Sequence, residues 1–234
     1  MGALIKTPEE IAVLKRSAEA AEKVFRYAIP LIRIGATERE IAGKMEEYAM
    51  RLPGVSGLAF PSIVASGPNG AQPHAEITDR VFEVGDFVTV DFGVTYEGYA
   101  SDITRTFMLG APTGTQLMIY ESVKRAQAAG VAAAKAGMVC SALDAVCRDL
   151  ITEDGYGDYF IHTTGHGVGT EVHEDPRLSS ASGTVLEAGM VVTIEPGIYI
   201  EGLGGVRIED TVVITQTGCD VLTPGIPKEL KTGE

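Results

Sequence analysis

The sequence predicts an α+β fold in which two pseudo-symmetric helix-helix-sheet halves form a curved antiparallel sheet backed by helices. Two observations predict it. Residues 83–98, EVGDFVTVDFGVTYEG, recur as residues 187–202, EAGMVVTIEPGIYIEG, at a constant offset of 104 positions. A pair of predicted helices also precedes the strands of each copy, so the half repeats extend over about 7–110 and about 115–222.

The first half opens with two helices that carry capping signals. The segment Thr7–Glu10 is a capping box with proline at the first helical position, and it predicts a helix to about Ile32. Gly35 ends this helix, and the segment Thr37–Glu40 predicts the start of a second helix, which extends to about Met50. The strands predicted to follow lie at 58–66 and 81–109.

The second half repeats this order. Thr115 is predicted to open an alanine-rich helix that extends to about Ala136, and Gly137 stops it. The segment Ser141–Asp144 predicts the start of a fourth helix, which extends to about Asp154. The strands predicted to follow lie at 159–163 and 190–214.

Composition excludes several classes of protein. A net charge of −13 argues against a nucleic-acid or anionic-membrane partner, since both need a basic face. No apolar run resembles a signal peptide or a membrane span. Cys140, Cys147 and Cys219 show neither a disulfide pattern nor metal-ligand spacing, so we expect reduced core residues and a cytoplasmic enzyme. The polar tail after Pro227 is expected to be frayed.

Four acids occupy matching places in the two copies. Asp91 of the first copy falls on Glu195 of the second, and each copy returns through another acid, Asp102 or Glu209. Without counter-ions, a close pair of such charges repels by about 4 kcal/mol at an effective dielectric of about 20. Solvated acids on an outer sheet face are the commoner arrangement. These acids, however, lie between Val, Ile and Gly, which favours a buried site with two divalent ions.

The chain has only four histidines, and all lie in segments near these acids: His74, His162, His166 and His173. A single histidine is more often structural than functional. Four in glycine-rich, loop-like segments beside acids indicate a site instead. The spacing of His162 and His166 suggests a zinc-binding helix, but the residues between them form helices poorly, and no His-Glu-x-x-His motif is present.

Together these residues resemble the pita-bread dinuclear metallopeptidases, which include methionine aminopeptidases, Xaa-Pro aminopeptidases and prolidases. The resemblance rests on an Asp followed by another eleven residues later, a His in GHGVG, a Glu in TIEPG and a Glu in RIED. It covers the chain from the first helix to about Leu222. It implies the pita-bread fold and two divalent metal ions, Mn, Co or Zn. The implied ligands are Asp91, Asp102, His166, Glu195 and Glu209, with Asp102 and Glu209 bridging the ions.

Smaller details resemble the Xaa-Pro aminopeptidase and prolidase branch. His162, four residues before the ligand histidine, matches a substrate-binding histidine of that branch. Tyr199 in EPGIYI and Arg207 in VRIED also look like the proline-specific pattern and are implied to bind substrate. His74 in SGPNGAQPH and His173 in VHED match histidines that contact the scissile peptide and help stabilise its tetrahedral intermediate.

The resemblance implies a metal-dependent exopeptidase that hydrolyses the N-terminal peptide bond preceding proline, as an Xaa-Pro aminopeptidase or an Xaa-Pro dipeptidase. A metal-bridged hydroxide would attack the carbonyl of a short peptide, Glu195 would carry the proton, and His74 and His173 would assist. Members of this branch usually carry an additional N-terminal domain. Residues 1–234 are therefore expected to be a single catalytic domain without it, and a homodimer and the accepted peptide length are left open.

Three alternatives remain at this point. A methionine aminopeptidase is favoured by the single-domain length and disfavoured by His162. A non-catalytic peptide-binding module on the same fold would be expected to lose metal ligands, and none is lost here. A creatine-hydrolysing relative would also not be expected to keep all five ligands.

Overall fold

The computed structural model describes residues 3–230 and the backbone of a short strand at 232–233. Its helices are α1 (Pro8–Ala28), α2 (Glu38–Ala49), α3 (Gly114–Ala133) and α4 (Cys140–Glu153). The strands of the first half are β1 (Val55–Leu58), β2 (Ile63–Ser66), β3 (Phe87–Phe92), β4 (Val94–Tyr96), β5 (Tyr99–Ala100) and β6 (Ile103–Leu109). Those that follow are β7 (Gly165–Gly167), β8 (Glu174–Leu178), β9 (Val191–Ile194), β10 (Gly197–Ile200), β11 (Gly204–Arg207), β12 (Asp210–Ile214), β13 (Cys219–Val221) and β14 (Thr232–Gly233).

The first helix begins as predicted and ends earlier than predicted. The Thr7 hydroxyl accepts the Glu10 N–H, and the Glu10 carboxylate accepts the Thr7 N–H, which forms the capping box. The helix ends at Ala28 rather than near Ile32. Pro30, which has no N–H for the helical ladder, lies in the 3-10 turn that follows.

The two helices of the second half start one or two residues earlier than predicted. The cap of α3 is Thr113 rather than Thr115, because Thr113 and Gln116 form a reciprocal capping box. The same helix ends three residues before its predicted end. Helix α4 begins at Cys140, and Asp144 does not cap it; its carboxylate binds other groups described below.

The prediction of a strand at 159–163 is wrong. The carbonyl groups of Phe160 and His162 accept hydrogen bonds from the Arg148 side chain, at 2.8 Å each, and not from a neighbouring strand. The strand lies just beyond, at Gly165–Gly167, in the stretch for which a loop was expected.

The strands form four hydrogen-bonded sheets, in the orders β14-β6-β3-β2, β13-β12-β9-β7-β8, β1-β4-β5 and β10-β11. Among the described pairs, all are antiparallel except β14 with β6. Helices α1 and α2 cover the first large sheet and helices α3 and α4 cover the second, each over its own apolar core. Buried Cys140 and Cys147 and half-buried Cys219 are free thiols. None of the described helices has the length and apolar character needed to cross a bilayer.

The two halves meet where β3 and β6 lie against β11. The Thr89 hydroxyl donates to the Gly205 carbonyl at 3.0 Å. The Thr106 hydroxyl donates to the Arg207 carbonyl at 3.0 Å and accepts the Arg207 N–H at 3.1 Å. These bonds bring the acid-bearing ends of both halves to one place.

The segment after Pro227 is docked in its described part, so the expectation of a frayed tail is wrong there. The Lys228 ammonium contacts Asp210, and the Lys228 carbonyl accepts the Tyr120 hydroxyl at 3.2 Å. Lys231 and Glu234 lie outside the described residues.

Candidate metal centre

The acids that the sequence pairs come together where the halves meet. Asp102 lies just before β6 and Glu209 just before β12, with exposed fractions of 4% and 1%. Ligand atoms of Asp102, Glu209 and His166 lie within 4.8 Å of one another. Glu195 joins the group through a 3.1 Å contact between its Oε1 and His166 Nε2. Asp91, at the end of β3, lines the same cleft.

Three oxygens of this group have no hydrogen-bond partner among the described residues: Asp91 Oδ1, Asp102 Oδ1 and Glu209 Oε1. A buried acceptor without a partner is costly, so such atoms in a native fold require an explanation. The four acids have only two cationic partners in the cluster, the Arg207 guanidinium and the His166 imidazole, and neither bonds Glu209. A cation at this place would satisfy both the oxygens and the charge. The residues therefore fit a metal.

His166 has the tautomer that a metal ligand needs. Its Nδ1 faces the Gly167 carbonyl at 3.1 Å, and because a carbonyl only accepts, Nδ1 must donate. The other nitrogen, Nε2, points at Glu195 Oε1 at 3.1 Å and at Asp102 Oδ2 at 3.6 Å. In metal-binding histidines, a hydrogen bond from the ring nitrogen that does not bind the metal orients the ring, as the Nδ1 bond does here. One imidazole with several carboxylates is a donor set suited to Mn, Co or Zn.

The acids differ in how readily they ionise. Burial, and then the charge of Glu209, raises the pKa of Asp102 well above its ordinary value. Burial and the charge of Glu195 do the same to the pKa of Glu209. Burial also opposes ionisation of Glu195, but the hydrogen bond and charge of His166 outweigh it and lower its pKa to about 2. Burial lowers the pKa of His166, and the bond to Glu195 more than reverses this. A proton and a metal ion therefore compete for His166 Nε2.

Two threonines support the acids, and the sequence reasoning gave neither a role. The Thr104 hydroxyl donates to Glu209 Oε2 at 2.6 Å. The Thr193 hydroxyl donates to Glu195 Oε1 at 2.9 Å. Each threonine stands two residues from an acid on its own strand, Thr193 before Glu195 and Thr104 after Asp102. That spacing is a signal from which both could have been predicted.

A continuous chain of hydrogen bonds connects Asp91 to His162. Arg207 Nη2 donates to Asp91 Oδ2 at 2.7 Å, and Arg207 Nη1 donates to the Tyr199 hydroxyl at 2.7 Å. Tyr199 then lies 2.9 Å from His162 Nε2. Arg207 Nε and Nη1 also reach the Thr104 hydroxyl and a backbone carbonyl. Four of the five guanidinium N–H groups therefore have partners within the protein.

This chain fixes the protonation of His162. Its Nδ1 lies 2.8 Å from the Thr163 carbonyl, so Nδ1 donates and Nε2 accepts the Tyr199 hydroxyl. Burial lowers the pKa of His162, which keeps the ring neutral. Both ring nitrogens are thus already engaged, and one of the two bonds must open before His162 can donate to a substrate.

Three of the four acids, Asp91, Asp102 and Glu195, line a cleft of about 360 Å³. All four histidines line it, and His74 and His173 are exposed at its surface. The rings of His173 and His166 lie 4.2 Å apart. Partial burial, and then His166, lowers the pKa of His173 to about 4, so this ring is neutral at pH 7. The cleft is also lined by residues that the sequence reasoning missed, for which it offered no signal: Phe60, Ile63, Val172 and Arg177.

Known proteins share this architecture. The chain is 52% identical over 220 residues to the Xaa-Pro dipeptidase of Pyrococcus furiosus, a match that covers 94% of this chain and 63% of that protein. The structure of an Xaa-Pro dipeptidase from Bacillus anthracis superposes with a TM-score of 0.95 at 49% identity, over 98% of this chain and 64% of the other. An X-Pro aminopeptidase from Thermotoga maritima superposes with a TM-score of 0.94 at 41% identity, over 98% and 64%.

These neighbours confirm the expected pita-bread fold and favour the Xaa-Pro branch over methionine aminopeptidases. The chain spans less than two-thirds of the length of these relatives, 63% in the case of the Pyrococcus furiosus protein. The profile of metallopeptidase family M24 matches residues 12–216, and the chain therefore belongs to metallopeptidase family M24.

Proposed function

We propose that the chain is a metal-dependent exopeptidase that hydrolyses the N-terminal peptide bond preceding proline. The observation that carries the proposal is the cleft, in which a buried carboxylate and imidazole cluster shares one wall with three further histidines. The relatives' names, Xaa-Pro dipeptidase and X-Pro aminopeptidase, support the same substrate class. The volume lies at the low end of the roughly 300–1,000 Å³ of small-ligand sites, which suits a short peptide.

The proposed site holds two divalent ions, Mn, Co or Zn. The proposed ligands are Asp91, Asp102, His166, Glu195 and Glu209. Three orphaned carboxylate oxygens and an imidazole nitrogen with the correct tautomer support this assignment. When bound, such ions supply Lewis-acid activation of water and of the substrate carbonyl.

Glu195 is the proposed proton carrier. Burial opposes ionisation of this carboxylate, but the hydrogen bond and charge of His166 outweigh it, so Glu195 is ionised at neutral pH and can act as an acceptor. The Thr193 hydroxyl fixes one of its oxygens at 2.9 Å. His74 and His173 are proposed to donate hydrogen bonds to the peptide carbonyl as it gains negative charge. A neutral ring, as at His173, can donate without carrying a charge into the cleft.

His162, Tyr199 and Arg207 are proposed to recognise the proline side of the substrate. Proline has no amide N–H, so a site for it must read ring shape and the neighbouring carbonyl. His162 suits this because its ring is held edge-on to Phe160, with centroids 5.1 Å apart, and oriented by Tyr199. Arg207 acts through Tyr199 and Asp91, since the residue is 3% exposed and its guanidinium is largely satisfied.

The proposal extends to organisation and surroundings. Residues 1–234 are proposed to act as one catalytic unit, because the two halves share hydrogen bonds at their junction. Three free cysteines support a reducing, cytoplasmic location. The charge of −13 disfavours a nucleic-acid partner. A short peptide is the proposed partner, and a homodimer is an outcome to be measured by light scattering.

The experiment is hydrolysis of Ala-Pro, Ala-Pro-Ala and Met-Ala-Ser by Mn-loaded protein. Cleavage of the proline peptides supports the proposal, and Ala-Pro against Ala-Pro-Ala separates dipeptidase from aminopeptidase. Preference for Met-Ala-Ser would assign a methionine aminopeptidase, and no cleavage of any peptide would favour a binding module. His162→Ala is expected to lower X-Pro turnover by roughly 10²-fold with metal content unchanged. Ile161→Ala is the neighbouring control, because Ile161 is 61% exposed and lies outside the cleft lining.

A further inference from the structure

A buried glutamate outside the metal centre holds the loop that carries His74. Glu38, the first residue of α2, is 0% exposed. Its Oε1 accepts the Ser66 N–H at 2.7 Å and the Ser66 hydroxyl at 2.8 Å. Its Oε2 accepts the Asn69 amide at 2.9 Å, the Thr78 N–H at 2.9 Å and the Thr78 hydroxyl at 2.6 Å. One carboxylate thus binds both ends of the loop between Ser66 and Thr78.

The opposite side of this loop lies against β11 of the second half. A Cβ atom added to Gly205 would come within 2.1 Å of the Gly70 carbonyl oxygen, and one added to Gly204 within 2.8 Å of that of Gly67. Such close backbone approach is open only to glycine. The loop is therefore held between α2 and the strand that ends at Arg207.

The backbone is what positions His74. No hydrogen bond to the His74 side chain is present among the described residues, and the ring is exposed at the cleft. Because the exposed ring has no hydrogen bond of its own among the described residues, its place at the cleft depends on the backbone that carries it. Misplacement by about 1 Å can cost roughly 10²-fold in rate.

We propose that Glu38 is a positioning residue for His74, which sets the ring against the cleft by fixing both ends of its loop. This rests on the proposed function through the role given to His74. Glu38 itself touches no substrate or metal in this assignment.

The second half contains a comparable arrangement, which supports the inference. Asp144 of α4 is 0% exposed, and its Oδ1 accepts the Thr164 N–H at 3.2 Å and the Thr164 hydroxyl at 2.8 Å. Arg148 binds the Asp144 carboxylate and donates to the His162 carbonyl at 2.8 Å. In each half, the second helix thus supplies a buried acid that fixes a segment with a cleft histidine.

The first measurement does not depend on activity. Glu38→Gln keeps the shape, but its carboxamide has one acceptor atom and one NH₂ group, which must face the donors of either Ser66 or Thr78. Hydrogen exchange of the Ser66 or Thr78 amide should become at least about 10-fold faster. The matched control is Glu22→Gln, a 5%-exposed glutamate of α1 that accepts the Gly225 N–H in a segment without cleft residues. Unchanged exchange at both amides in Glu38→Gln would overturn the proposal.

The second measurement is a double-mutant cycle with X-Pro peptide as substrate. Glu38→Gln alone should lower kcat roughly 10-fold or more with metal content unchanged, whereas in a His74→Ala background it should have little further effect. Equal losses in both backgrounds, or no loss of kcat in Glu38→Gln, would overturn the proposal. If Glu38→Gln does not fold, Glu38→Asp, which retains both acceptor oxygens on a shorter stem, takes its place in the same cycle. Wild-type protein without X-Pro turnover would refute the proposed function instead, and the exchange result would then decide whether Glu38 holds the loop.

Discussion

Replacing the buried acid Asp102 by Asn should not destabilise the metal-free protein, but it should make the metal-loaded protein less stable than wild type. Asp102 and Glu209 are buried with an orphaned oxygen each, and the closest ion pairs of Arg207 and His166 go to Asp91 and Glu195. Two charges about 4 Å apart repel by about 4 kcal/mol at an effective dielectric of about 20. Asp102→Asn keeps the shape and removes an acid whose ionised form is disfavoured by burial and by the charge of Glu209. The metal-free variant should therefore be at least as stable as metal-free wild type.

Manganese should reverse that order. An ion at 100 times its Kd contributes about 2.7 kcal/mol to a fold that alone binds it. For a chain of this size, about 1 kcal/mol shifts Tm by roughly 2–4 °C, so one ion should raise the wild-type Tm by roughly 5–10 °C. Asp102→Asn, which loses one of the proposed ligands, should gain much less. Asp79→Asn is the matched control, because Asp79 has an 81% exposed side chain, and it should keep the full wild-type shift.

The assay is thermal unfolding followed by circular dichroism, first in chelator and then in excess Mn²⁺. Metal content measured on the same samples shows whether the shift follows occupancy. A wild-type Tm that is equal in the two buffers, or an Asp102→Asn variant that gains as much as wild type, would refute the assignment of these acids as metal ligands.

Three further predictions concern the core. Arg105→Met should lose roughly 3–5 kcal/mol of unfolding free energy in urea, because it removes one of the two cationic partners of buried Asp210 and leaves buried carbonyls, such as that of Ile226, without their donor. Arg16→Met, in a half-exposed pair, should lose less than about 1 kcal/mol. Equal losses would contradict this. Gly130→Ala should lose about 1–3 kcal/mol, since its Cβ would lie 2.6 Å from Cys147 Sγ, and Cys147→Ala should restore part of the loss. Burial raises the pKa of Cys147 to about 12, so this thiol should react with a disulfide reagent at pH 8 only after unfolding; fast reaction of native protein would refute that.

The positions of the acids could be predicted because they depend on local geometry. Side chains alternate along a strand with a period of two, so a repeat at constant offset puts Asp91 and Glu195 at matching places of two hairpins. Capping boxes are equally local, which is why the start of α1 is correct. The start of α3 was predicted wrongly although its signal, Thr113 with Gln116, is present in the sequence.

The remaining differences arise from contacts between distant parts of the chain. A strand was predicted at 159–163, but a side chain twelve to fourteen residues earlier, Arg148, binds its carbonyls. The tail after Pro227 has a polar sequence, yet Asp210 and Tyr120 hold its described part. Neither set of partners can be recognised from composition or periodicity.

The same limit applies inside the site. The sequence assigned His162, Tyr199 and Arg207 to the substrate as separate residues. The structure joins them through hydrogen bonds to Asp91, a proposed metal ligand. A change in the charge around Asp91 therefore alters the partner of Arg207, and through Tyr199 the bond that His162 accepts. The proposed metal ligand Asp91 and the residues proposed to recognise proline are thus connected by direct contacts.

The repeat gives Asp91 and Glu195 corresponding positions, but it does not give them the same neighbours. The repeat places Asp91 and Glu195 at corresponding positions, but their cationic partners differ: Arg207 binds the first and His166 the second. An arginine stays protonated, so Asp91 keeps its cationic partner. In the proposed metal-loaded site, His166 would give up the proton that now faces Glu195, so Glu195 would lose this positive hydrogen-bond donor. The repeat therefore sets where the oxygens lie, while the unlike partners distinguish Glu195, the proposed proton carrier, from Asp91.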